Sequence, residues 1–124
     1  MSGRILIVDD DAVVRLTTRD FLSSKGYSAT VAAGGREALA MLETVNPDVV
    51  LLDVAMPDMD GLETLRRLVA ARPSLPVIMI TANADIEITS KVLQMGAADY
   101  VPKPFDLDYL DQAIKIQISA RSRS

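Results

Sequence analysis

Two apolar runs in this chain stop abruptly on acid. Ile5-Leu6-Ile7-Val8 runs into Asp9-Asp10-Asp11, and Val49-Val50-Leu51-Leu52 runs into Asp53. A third run, Val77-Ile78-Met79-Ile80, stops on Thr81-Ala82-Asn83, and Tyr100-Val101-Pro102 leads to Lys103-Pro104. Carboxylates are hard oxygen ligands and nucleophiles toward phosphorus. A lysine and a hydroxyl are the groups that neutralise a transferring phosphoryl group and donate to it, and such transfer asks mainly for positioning and charge. Carboxylates gathered this closely repel one another unless a cation joins them, and an all-oxygen set suits Mg²⁺. The chemistry within reach is therefore metal-assisted phosphoryl transfer onto an aspartate, if the fold brings these positions together.

The composition closes off most other chemistry. The 124 residues suffice for one domain with its own core, and 49% hydrophobic with 24% charged residues is ordinary globular composition. There is no His and no Cys, which excludes disulfides, thiolate or imidazole zinc sites, and Ser/His or Cys/His catalysis. A net charge of -4 argues against a general nucleic-acid binder. No apolar stretch approaches a membrane span, and the N-terminus does not open a signal peptide, so the expected location is cytoplasmic.

What must position the chemistry is a strict alternation. Arg4 to Val8 reads as a buried strand, and Ala12 to Lys25 as a helix stopped by Gly26. Tyr27 to Ala32 is a weaker strand, Glu37 to Val45 a helix ended by Asn46-Pro47, and Val49 to Asp53 a strand buried on both faces. Helical spacing resumes from Gly61 and stops at Arg72-Pro73. Pro76 to Ile80 is the fourth strand, Asp85 to Met95 a helix ended by Gly96, and Asp99 to Val101 a short fifth strand. Asp106 caps a last helix carrying Leu107, Leu110, Ile114 and Ile118. Five strand–helix repeats with short connections imply an α/β fold, a parallel sheet wound right-handedly with helices on both faces. All strands of such a sheet finish on one edge, where open α/β sheets keep their ligand crevice. Asp9, Asp10, Asp53, Thr81 and Lys103 then converge.

In that order and at those strand ends, Asp9-Asp10, Asp53 with Met56-Pro57 and Gly61, Thr81-Ala82 and Lys103-Pro104 resemble the response-regulator receiver domain of two-component signalling, of the chemotaxis-regulator type, over nearly the whole chain. The resemblance implies a flavodoxin-like (βα)5 sheet of order 2-1-3-4-5. It implies that Asp53 accepts a phosphoryl group from a histidine kinase or histidine phosphotransfer protein and that the chain catalyses only its own phosphorylation and dephosphorylation. Asp10, Asp53 and the Ala55 backbone carbonyl would bind Mg²⁺ or Mn²⁺ directly, with Asp9 acting through a water. Lys103 would pair with Asp53 and then with the phosphoryl oxygens, aimed by a cis Lys103–Pro104 peptide. Thr81 would turn its hydroxyl inward and Tyr100 would follow, while Met56 and Asn83 tune phosphoryl lifetime. The switching surface would be the fourth helix, fifth strand and fifth helix. It would signal to a downstream protein, an attached output domain or a second copy, without membrane or nucleic-acid contact by this domain.

Plainer readings stand beside these. Asp11 sits where the first helix starts and is expected as its N-cap. Met56, Met59, Met79 and Met95 read as gap-fillers, and Ile88 and Ile116 as surface apolar residues or part of a partner face. Asp9-Asp10-Asp11-Ala12-Val13 also resembles the nucleophile motif of haloacid-dehalogenase-type phosphatases, with Asp9 as nucleophile and Asp11 as acid/base, but no later acidic pair on a further strand accompanies it. A pseudo-receiver acting purely by interaction would not need the full Asp, Thr and Lys set. A flavin binder of the same fold class would need a Ser/Thr/Gly-rich phosphate loop after the first strand. The chain is expected as one domain over 1–124 with a core of about 4–118, and 119–124 as a tail or linker start.

Overall fold

The computed structural model describes residues 3–54, 61–81 and 86–122. Its elements alternate throughout: β1 (Arg4–Val8), α1 (Ala12–Ser24), β2 (Ser28–Ala32), α2 (Gly35–Val45), β3 (Val49–Asp53), α3 (Gly61–Ala71), β4 (Val77–Thr81), α4 (Ile86–Gln94), β5 (Asp99–Pro102) and α5 (Leu107–Ser122). The five strands form one parallel sheet in the order β2-β1-β3-β4-β5. The fold class and strand order expected from the sequence are those observed.

Alternation along each strand builds two cores, one per face. Leu6, Val8, Val50, Leu52, Val77 and Met79 pack against residues of α2, α3 and α4, including Leu42, Leu65, Leu68 and Val92. Ile5, Ile7, Val49, Leu51, Ile78, Ile80 and Val101 pack on the other face against Leu22 of α1 and Leu110, Ala113 and Ile114 of α5. Strands covered on both sides have no polar face to present, which is why β1, β3 and β4 read as unbroken apolar runs. Each fully buried aliphatic side chain contributes about 1.5–3 kcal/mol relative to exposure. The expected gap-filling of Met79 is observed, and Met95 packs against the first core. Ile88 also packs against that core rather than lying on the surface. It lies one turn before Val92 and two before Met95, on the same stripe that α4 turns to the sheet. Ile116 does stand in solvent, 62% exposed.

The turns follow residue chemistry. Asp11 caps α1 by accepting the Val13 and Val14 N–H groups. At the other end Gly26, at φ +96°, takes the left-handed conformation that glycine tolerates, and the Gly26 and Tyr27 N–H groups return to the Ser23 and Leu22 carbonyls. α5 runs through Ser122, so residues 119–122 are helix, not the tail the sequence suggested. Arg121 holds that end by donating to the Pro47 and Asp48 carbonyls, with its guanidinium 3.5 Å from the Asp48 carboxylate. Among the described residues no helix is long and apolar enough to cross a membrane.

Candidate functional site

The register of the sheet sets the site. Val8 pairs with Leu52 in the parallel ladder, so the next residue on each strand, Asp9 and Asp53, emerges side by side at the carboxyl edge. Both continue the parity of the α1/α5 face, as does Lys103 two residues beyond Val101. Thr81 pairs with Pro102, and its carbonyl accepts the Lys103 N–H at 2.7 Å, tying the lysine loop to the end of β4. Thr81 and Tyr100 share the opposite parity, toward α4.

One oxygen from each of Asp9, Asp10 and Asp53 lies within 4.8 Å of the others. Asp9 and Asp53 are buried while Asp10 is exposed at the mouth. The Lys103 ammonium stands 3.7 Å from Asp53 and 3.9 Å from Asp9. Burial raises the Asp9 carboxyl above the ordinary carboxylate value. The Asp11 N–H, at 2.9 Å, works against that, the Asp53 charge adds to it, Lys103 opposes it, and Asp10 adds again. Among the described residues the crevice thus gathers three carboxylates around one ammonium, a cluster of hard oxygen donors. A hard divalent cation fits such a place.

The structure therefore brings together Asp9, Asp10, Asp53 and Lys103, with Thr81 buried at the adjoining strand end and Tyr100 half-buried on the α4 side. The Lys103–Pro104 peptide is cis. Ala55, Met56 and Asn83, named from the sequence as metal ligand and tuning residues, lie outside the described residues. Gly61 has a steric reason to be glycine. A Cβ there would stand 2.4–2.5 Å from backbone atoms of Asp53 and Val54, so only glycine lets α3 start this close to the end of β3.

Two features went unread in the sequence. Arg15 reaches back from α1 to donate to the Asp9 carbonyl at 2.8 Å. Beside Lys103 and Pro104 an apolar cleft of about 630 Å³ opens between α1 and the loop before α5, lined by Val13, Val14, Phe105 and Leu107. The apolar pair Val13-Val14, one residue past the acidic cluster, was the available signal for it, and Val13 stands 74% exposed.

Fold and site together define a flavodoxin-like α/β domain whose crevice is acidic and carries a lysine. Within that class the chain belongs to the response regulator receiver domains of two-component signalling, whose family model matches residues 5–115. It is 46% identical over 110 residues to the response regulator MprA of Mycolicibacterium vanbaalenii, covering 89% of this chain and 48% of that protein. It is 42% identical to the DNA-binding transcriptional regulator NtrC of Salmonella typhimurium, covering 86% of this chain and 23% of that one. The chain thus spans half or less of these curated relatives. The crystal structure of a CheY-like receiver domain protein from Methanospirillum hungatei superposes with a TM-score of 0.93 at 34% identity, covering 99% of this chain and 98% of that one. A phosphoacceptor role is what this family implies.

Proposed function

We propose that Asp53 is the phosphoacceptor and that a partner histidine kinase or histidine phosphotransfer protein, in the cytoplasm, supplies the phosphoryl group. The observation that carries this is the placing of a buried aspartate at the end of the central strand, with an ammonium at 3.7 Å and two further carboxylates within 4.8 Å. An Asp53 carboxylate oxygen attacks phosphorus. The O–P bond forms as the donor's N–P bond breaks, and the electron pair of that bond stays on the imidazole nitrogen. Asp10 and Asp53 would hold Mg²⁺, with Asp9 behind them through a water and the Ala55 carbonyl as a third protein ligand. The ion supplies charge neutralisation for the incoming phosphoryl oxygens. Lys103 exchanges its partner Asp53 for those oxygens. The apolar cleft beside Lys103 gives the donor protein a surface to rest on as it reaches the crevice.

Thr81 then bonds the new phosphoryl group, and because Thr81 and Tyr100 share the α4 face, its movement biases the surface of α4, β5 and α5. The large apolar residues Leu93, Tyr109 and Ile116 stand 43–62% exposed on α4 and α5, which suits that surface to a partner, an attached output domain or a second copy.

Intact mass after incubation with Mg²⁺ and a small acyl-phosphate donor tests the acceptor. One Mg²⁺-dependent phosphoryl adduct is expected, absent in Asp53→Asn. An adduct that persists in Asp53→Asn but disappears in Asp9→Asn would instead make this a phosphatase-like site. For the coupling, Thr81→Ala should take the phosphoryl group yet shift the α4 and β5 amide resonances far less than wild type; equal shifts would sink that step.

A further inference from the structure

We infer that Arg15 is a positioning residue for the cation site, holding the turn on which Asp10 hangs. The inference rests on the phosphoacceptor reading and goes beyond it, since Arg15 touches none of the reacting groups. Its guanidinium sits one turn into α1, where a positive charge opposes the helix dipole and where no acidic residue of that turn accompanies it. Its partner there is the Asp9 main-chain carbonyl at 2.8 Å, not a carboxylate.

The geometry of the turn gives that contact a purpose. The Asp9 N–H donates to the Ala32 carbonyl, the Asp9 side chain accepts the Asp11 N–H, and Asp11 caps α1. The Asp9 carbonyl and the Asp10 N–H belong to one planar peptide. By fixing that carbonyl, Arg15 fixes the plane from which the Asp10 Cα and carboxylate project. The Arg15 N–H also donates to the Asp11 carbonyl, so backbone and side chain of one residue brace both sides of Asp10. Among the described residues, no hydrogen bond falls on the Asp10 carboxylate itself. What the brace supplies is order in the main chain that carries Asp10, so that part of the ordering cost of meeting a cation is already met.

The sign of one measurement separates positioning from simple charge. Removing a positive charge near a cation site tightens cation binding by Coulomb's law, whereas removing a brace weakens it. We expect Arg15→Ala, a change α1 tolerates well, to bind Mg²⁺ roughly tenfold more weakly by calorimetry. The Mg²⁺ concentration for half-maximal Asp53 phosphorylation should rise by a similar factor while the rate at saturating Mg²⁺ stays near wild type. Arg15→Lys should recover part of the affinity, because it keeps a donor but not the planar fork. Mg²⁺ binding by Arg15→Ala that equals or exceeds wild type overturns the inference, as does a lowered saturating rate with unchanged half-saturation. A wild type that binds no Mg²⁺ overturns the phosphoacceptor reading as well.

Discussion

Two buried aspartates of this domain, each 4% exposed and each with a lysine nearby, stand in opposite electrostatic circumstances. Asp111, on α5, accepts the Tyr27 hydroxyl at 2.7 Å, and the Lys115 ammonium lies 3.3 Å away. Burial alone would raise its carboxyl, but the Tyr27 hydroxyl and Lys115, helped by Lys25, outweigh burial and hold it below the usual carboxylate range. Asp9 shows the reverse. Burial raises it, and the neighbouring Asp53 and Asp10 charges add more than Lys103 removes at 3.9 Å. The neighbours of Asp111 outweigh its burial, whereas those of Asp9, the Asp11 N–H and Lys103 included, leave its carboxyl raised. A crevice of that kind fits a hard divalent cation.

The sharpest way to break this contrast is to neutralise each aspartate in turn. At Asp111 the carboxylate ties α5 to Tyr27 of the same core, so Asp111→Asn should cost about 2 kcal/mol, the scale of a buried hydrogen bond to a charged group. The pH dependence has a fixed sign. The folded-state pKa lies below the ordinary 3.8, so the stabilisation is fully present above about 3.8 and is lost as pH falls through the lower folded value. Thermal unfolding of wild type and Asp111→Asn should therefore differ at neutral pH and converge in acid. Equal stability at neutral pH would show that Tyr27 and Lys115 do not hold Asp111 as their geometry indicates.

The same contrast explains what could be read from the sequence. The strands were legible because both faces are covered: Val49 to Leu52 had to be wholly apolar, and an aspartate directly after them had to be at the sheet edge. Parallel pairing then made Asp9, Asp53, Thr81 and Lys103 neighbours with no further information. The Tyr27–Asp111 pair spans 84 positions and carries no local pattern, so nothing in the chain announced it. Arg15 was equally silent, because its partner is a main-chain carbonyl, which every residue has. The end of α5 was misjudged for a related reason. A Ser/Arg-rich run has weak helical character by itself, and what keeps it helical is the distant anchor of Arg121 on Pro47 and Asp48.

The smaller effect belongs to Asp9 and has the opposite sign. Asp9→Asn keeps an oxygen for the Asp11 N–H and leaves Lys103 with Asp53 at 3.7 Å, so it removes a crowded charge without stripping the turn. Without divalent cation the variant should be more stable than wild type, because burial and the Asp53 charge make the Asp9 carboxylate costly to ionise in the fold. Mg²⁺ should then reverse the order. At a hundred times its Kd it stabilises wild type by about 2.7 kcal/mol, and it should do less for a variant that has lost part of the charge that attracts it. Calorimetric melts of both proteins with and without Mg²⁺ read all four values. If Asp9→Asn melts below wild type in the cation-free pair, the crevice is satisfied as it stands, and its likeness to the Asp111 cluster outweighs the difference.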